Sequence, residues 1–291
     1  METMLPYHAS QALDSLLPAD IEFDNNNDLA KAALLFALEN GQEFLLEEQL
    51  ELIDELSKEA SIYVDLNAST TEIANSLCYF FKDVKGFQGN SENYYDPENS
   101  FLNKVLENRR GIPISMAVLY ISVASRLGFS DVVGIGFPGH FLIRFGEDDN
   151  VSGEGVYVDP YYHKLINDSE CEERLKSLFG SHARMHRSYL GTVSNREFVA
   201  RMARNLVEIY QEKHLYELAL ICCTRAINTE PGLAEDHYVR ANLYEKLDCY
   251  GAAVQEFSRF IYLSPKDDRI GDIKVRIRRL REASNKPKYV H

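Results

Sequence analysis

Apolar and polar positions alternate along this chain in three successive regimes. In residues 43–56, Leu and Ile alternate with glutamates at helical spacing, which predicts an amphipathic helix with an acidic wet face. The run Ile73-Ala74-Asn75-Ser76-Leu77-Cys78-Tyr79-Phe80-Phe81 reads as a more apolar helix. Leu102, Val105 and Leu106 give the inner face of a further helix, with Asn99 or Ser100 placed to N-cap it and Arg109 and Arg110 closing it. Pro113 then opens a helix in which Ile114, Ala117, Val118, Ile121 and Ala124 recur at helical spacing and Gly128 fits the C-terminus. The period now changes to that of strands. Residues 132–136 and 140–145 flank a Pro138-Gly139 turn, and residues 156–159 form a third strand ending at Pro160. Asn25-Asn26-Asn27 reads as a loop, with Asp28 placed to cap the next helix.

The third regime is a repeat. Tyr210, Ala219, Ala226 and Pro231 are followed 34 residues later by Tyr244, Ala253, Phe260 and Pro265. That period, with small residues where paired helices approach and Pro after the second helix, is the tetratricopeptide pattern. It gives one repeat over 200–233 and another over 234–267, in which Phe260 departs from the usual small residue. Residues 270–284 form a capping helix with Ile273, Ile277 and Leu280 on one face and most of its arginines elsewhere. Two repeats and a cap fall short of the ~3 that a free-standing solenoid needs, so packing on the preceding domain is expected. Such repeats serve either to bind a protein or peptide partner or as scaffold.

Charge narrows the function classes. The net charge is −14, and residues 1–60 hold 14 Asp and Glu against two Lys. An acidic chain argues against nucleic-acid binding, and the short basic stretch at the C-terminus reads as a solvated helix face. No apolar run reaches the ~18 residues of a membrane span, and no basic-then-apolar leader pattern opens the chain. The expected location is the cytoplasm. Five cysteines (Cys78, Cys171, Cys222, Cys223 and Cys249) show no metal-binding or paired spacing, as suits a reducing compartment. His140 and His163 could share a metal, but no third ligand has suitable spacing, so neither a metal nor a cofactor is expected.

Three motifs carry a resemblance: Arg-Arg-Gly-Ile-Pro at 109–113, Phe-Pro-Gly-His-Phe at 137–141 and Val-Asp-Pro-Tyr at 158–161. With the stretch from Tyr95 to Leu106 before them and the repeats behind, the chain resembles the SirB1 family over roughly residues 70–285. That family carries a degenerate transglutaminase-like domain followed by tetratricopeptide-like repeats. The wider superfamily pattern is Gly-x-Cys at a helix start, then a small residue, then a strand with His and one with Asp. Carried over residue by residue, Gly111 matches the Gly, Ala117 the small residue, and His140 and Asp159 the other triad members. Pro113 stands where the nucleophilic cysteine is expected.

The resemblance implies an α+β fold. It has a helical N-terminal part and a papain/transglutaminase-like core with a small antiparallel sheet over 1–190, then an all-α repeat region over 191–291. A thiolate at a helix N-terminus is stabilised by the dipole and an adjacent imidazole, and a carboxylate fixes that imidazole's orientation. Proline supplies none of the first part. The resemblance therefore implies a non-catalytic interaction or regulatory protein. The alternative is an acyl-transfer or amide-hydrolase enzyme in which Ser115, or a displaced cysteine, acts with His140 as base and Asp159 as orienter. Ser115 otherwise reads as a cap in the first helical turn, and Cys78 as a buried filler. Asn99, Arg109, Arg110 and His163 are candidate binding residues beside the site. The arginines serve either anion recognition or plain compensation of the helix dipole. The oligomeric state is not specified by the sequence.

Overall fold

A computed structural model describes residues 3–18, 26–146 and 155–284. The chain divides into two compact units, Met1–Val199 and Ala200–His291.

The first unit opens with α1 (Pro6–Leu16), α2 (Asn26–Glu39), α3 (Leu46–Ala60) and α4 (Thr70–Tyr79). Every residue from Leu29 to Leu38 except Lys31 is fully buried, so α2 is an interior helix rather than an amphipathic one. Of the expected asparagine loop, Asn26 and Asn27 lie in α2, and Asn25 is outside the described residues. Helix α3 matches the acidic amphipathic stretch and buries Leu46, Ile53 and Leu56. Ser69 N-caps α4 in a capping box with Glu72, and a π-helical turn, Phe80–Val84, continues the helix.

Two-residue strands β1 (Gln88–Gly89) and β2 (Arg110–Gly111) pair in parallel. Between them lies α5 (Leu102–Asn108). Its start corrects the expected capping. Asp96, not Asn99 or Ser100, takes the cap role, on a 3-10 turn Pro97–Ser100 that precedes α5, and Phe101 occupies the N-cap of α5 itself. The physical reason is Pro97: its fixed φ nucleates a tight turn immediately after Asp96.

Helix α6 (Pro113–Leu127) is the centre of the unit. Pro113 is at its first position, Gly128 closes it at φ 97°, and every residue from Pro113 to Ala124 is buried. It packs on α2 and α3 and against β3 (Val132–Ile135) and β4 (Leu142–Phe145). Strands β5 (Val156–Asp159), β6 (Lys164–Leu165) and β7 (Thr192–Val193) complete an antiparallel five-stranded sheet in the order β6-β5-β4-β3-β7. Helix α7 (Asp168–Phe179) lies between β6 and β7 in sequence and adds Cys171 and Leu175 to a cluster with Ile135, Phe137 and Leu142. Gly134 admits no side chain: a Cβ there would lie 2.3 Å from the Phe198 ring.

Helix α8 (Asn195–Glu212) carries the chain into the second unit, followed by α9 (Tyr216–Thr229), α10 (Ala234–Lys246), α11 (Tyr250–Leu263) and α12 (Ile270–Ser284). These are the two expected helix pairs and the cap. Ala219, Ala226 and Ala253 are fully buried where neighbouring helices meet. Phe260, the departure from the small-residue pattern, is fully buried with Phe257, Ile273, Ile277 and Leu280. The Arg269 guanidinium covers its ring at 4.8 Å and that of Tyr238 at 4.5 Å. Of the seven Lys and Arg in the last 21 residues, Lys274, Arg276, Arg278, Arg279 and Arg281 lie on α12 away from its buried face, and the two beyond Ser284 lie outside the described residues.

Candidate functional site

The site is built from the C-terminal end of β5 and the turn before β4. Asp159 ends β5 and has no exposed surface. Four donors converge on its carboxylate. Oδ1 accepts the backbone N–H groups of Tyr161 (3.0 Å) and Tyr162 (3.3 Å). Oδ2 accepts His140 Nε2 (2.9 Å) and Arg174 (2.7 Å). Four donors on one buried carboxylate fix its position and orientation. His140 lies in the turn just before β4 rather than on the strand. Its side chain is 6% exposed, and Asp159 is its only hydrogen-bond partner among the described residues. In a neutral imidazole so placed, the nitrogen facing the carboxylate carries the proton and Nδ1 keeps its lone pair. Tyr161 stands edge-on to the imidazole, 6.4 Å between centroids.

The structure thus brings His140 and Asp159 together as the triad pattern requires. Ser115 goes elsewhere. Its fully buried hydroxyl donates to the Asn99 carbonyl at 2.6 Å and accepts the Ile112 N–H at 3.1 Å. This is the capping arrangement of a first helical turn. Gly111 is required by it, because a Cβ there would sit 2.8 Å from Ser115 Oγ. Asn99 is 3% exposed and organises its own loop: Nδ2 donates to the Asn93 and Tyr94 carbonyls and Oδ1 accepts from Asn90. Arg109 C-caps α5 in the left-handed region, φ 54°, and its guanidinium donates to the Lys85 carbonyl at 2.9 Å. Arg110 pairs with the Gln88 side chain across β1 and β2.

His163 forms a second buried group with Tyr120. It holds a left-handed backbone, φ 52°, and its Nδ1 lies 2.6 Å from the Tyr120 hydroxyl. Tyr120 is fully buried, with the Cys78 thiol as a neighbour. Burial drives the Tyr120 phenol well above its ordinary range, with the neighbouring Cys78 adding to the rise. Burial, then the positive charge of Lys82, pulls His163 down to about 4. The phenol therefore donates to a neutral imidazole whose proton is on Nε2. That nitrogen is buried without a partner; the Phe87 carbonyl acts on the ring but forms no hydrogen bond of acceptable geometry.

Burial pushes the Cys78 thiol up to about 12, Cys223 to about 12 and Cys171 to about 11. All five cysteines are free, and only Cys249 is exposed. Among the described residues, no cluster of three or more His, Cys, Asp or Glu is arranged to hold a metal ion. Likewise, no helix is long and apolar enough to cross a membrane.

Two members of the site were not singled out in the sequence. Arg174 gives no local signal, since it reaches Asp159 from one turn of α7. Tyr120 sits on a face of α6 that reads simply as apolar.

Comparison with known proteins follows the same division. Residues 47–204 match the family described as the transglutaminase-like superfamily, and residues 206–278 match a tetratricopeptide repeat family. A UPF0162 protein of Xylella fastidiosa is 33% identical over 66% of this chain and 68% of its own length. A UPF0162 protein of Pseudomonas aeruginosa is 31% identical over 81% of this chain and 84% of its own. Protein SirB1 of Salmonella typhimurium is 24% identical over 86% of this chain and 91% of its own. With the helix of Pro113, the His140–Asp159 pair and the paired helices behind them, the chain belongs to the transglutaminase-like superfamily and carries tetratricopeptide repeats after that domain.

Proposed function

We propose that this chain is a non-catalytic protein-interaction protein, with regulatory rather than chemical output, built on a transglutaminase-like fold that lacks its nucleophile. The observation that carries this reading is the occupancy around α6. A proline takes the first helical position, and the nearby hydroxyl, that of Ser115, is committed to the Asn99 carbonyl and the Ile112 amide. No thiol or hydroxyl bonds His140 Nδ1 among the described residues. The repeats supply the architecture for holding a protein or peptide, and the free cysteines suit a reducing cytoplasm. The test is an acyl-transfer and amide-hydrolysis assay on a glutamine-containing peptide with a primary amine acceptor. Wild type and His140→Ala should both stay at background. Turnover by wild type that His140→Ala abolishes, with an unchanged melting temperature, overturns the reading.

One observation favours the enzymatic alternative: His140 is oriented by Asp159, as a general base requires, and its Nδ1 is left free. In that reading Ser115 must leave the Asn99 carbonyl to become the nucleophile. Ser115→Ala would then abolish turnover as completely as His140→Ala.

A further inference from the structure

Away from His140, the first unit carries an open groove of about 160 Å³ between α3, α5 and the chain before β1. Leu52, Leu56, Phe87 and Leu106 form its apolar lining. Leu52 is 43% exposed, so its side chain is a lip rather than a floor. The two rims differ in charge. On the α3 side, Glu48, Glu51, Leu52, Glu55 and Glu59 share one exposed face at spacings of three and four. Glu59 is bridged to Lys85 at 2.8 Å. Glu48, Glu51 and Glu55 have no ion-pair partner among the described residues. On the opposite rim, Arg109 uses one terminal nitrogen on the Lys85 carbonyl. The other N–H groups of its guanidinium have no partner among the described residues.

Size and charge together select an occupant. The volume is below the ~300–1,000 Å³ of small-molecule sites, but it suits one apolar anchor side chain of the kind that carries binding energy at interfaces. Unpaired acids at helical spacing beside it match cations at the same spacing on a helix laid along α3. The geometry points to this groove as the docking site for an amphipathic helix of a partner protein. That helix has a Lys/Arg edge toward Glu48, Glu51 and Glu55, one Leu-sized anchor in the groove, and an acidic edge toward Arg109. The inference rests on the chain being an interaction protein, but it uses none of the His140 site. Its failure therefore leaves the activity test above untouched.

The probe is a capped, fluorescent helical peptide with lysines on one edge, a single leucine in the seam and glutamates on the other edge, followed by anisotropy with the full chain. Saturable binding that weakens at high salt is expected. Glu51→Lys with Glu55→Lys should weaken it about tenfold, and a peptide whose lysines are replaced by glutamates should regain binding to that variant. Leu52→Asp should cost as much. All three positions are exposed, so circular dichroism melts should match wild type. The inference is overturned if binding is not saturable, if the double variant binds unchanged, or if a peptide with serine for leucine binds equally, which would mean bulk charge attraction. Sedimentation gives a further overturning outcome: if the chain self-associates and Leu52→Asp dissociates it, the groove holds a second copy instead.

Discussion

His163 makes the stability of the first unit depend on acid in a way that can be worked through. The ring is 6% exposed and is held neutral between Tyr120 and a side without a partner, with its value pulled from 6.5 down to about 4. Well above pH 6.5 the folded and unfolded chains both hold this histidine neutral, so it adds no pH dependence there. As pH falls from 6.5 toward 4 the unfolded chain takes up a proton that the folded one refuses, and stability is lost at each step. Below about 4 the loss levels off. A shift of that size corresponds to about 3 kcal/mol at full extent. Carboxylates that titrate in the same range add their own slope, so the assay must be differential. Urea unfolding by circular dichroism at pH 7.5 and pH 4.5 should be compared for wild type and His163→Asn. Asparagine tolerates the left-handed backbone and does not titrate. The variant loses a bond to Tyr120 at both pH values, and the readout is the difference between them. Wild type should lose about 2–3 kcal/mol more than the variant on acidification. Equal losses, or an NMR titration of His163 centred near 6.5, would refute the reasoning.

Four further outcomes are expected. Ser115→Ala orphans the Asn99 carbonyl and the Ile112 amide in a dry environment and should cost about 1–3 kcal/mol in urea unfolding; a neutral result would mean the hydroxyl is not bound as described. Arg174→Met removes one of four donors from buried Asp159 and should cost about 2 kcal/mol, read as a lower Tm. Iodoacetamide applied to native protein should label Cys249 rapidly and leave Cys78, Cys171, Cys222 and Cys223 intact by mass mapping, because those four are buried. Arg269→Ala uncovers the Phe260 and Tyr238 rings and should lower the stability of the second unit by about 1–2 kcal/mol, checked by thermal unfolding.

The parts of this fold that could be read from the sequence are those marked by period and by backbone punctuation. Pro113 and Gly128 bracket α6 because one cannot be a helical interior residue and the other takes a positive φ. Strands β3, β4 and β5 are long enough to show their apolar character, the 34-residue repeat marks the paired helices, and the spacing of Ile273, Ile277 and Leu280 marks α12. Strands β1, β2, β6 and β7 have two residues each, too few to carry an alternation. The π-helical turn at Phe80–Val84 has no residue pattern that sets it apart from the helix it continues. In the site, His140 and Asp159 were legible through their motifs, whereas Arg174 and Tyr120 depend on long-range packing. Asn99 does not cap α5: its side chain holds its own loop, and its carbonyl accepts the Ser115 hydroxyl.

Strand β7 has a consequence for how the chain can be cut. Its two residues pair with Gly134 and Ile135 some sixty positions earlier, and Phe198, just beyond it, occupies the space that Gly134 leaves open. A fragment ending before Thr192 would strip that cover and present the outer backbone groups of β3 to any extended chain, the usual start of edge-to-edge aggregation. Truncations intended to isolate the catalytic-type fold therefore need to retain the first turn of α8, and insoluble shorter fragments would report an unsealed sheet rather than an unstable core.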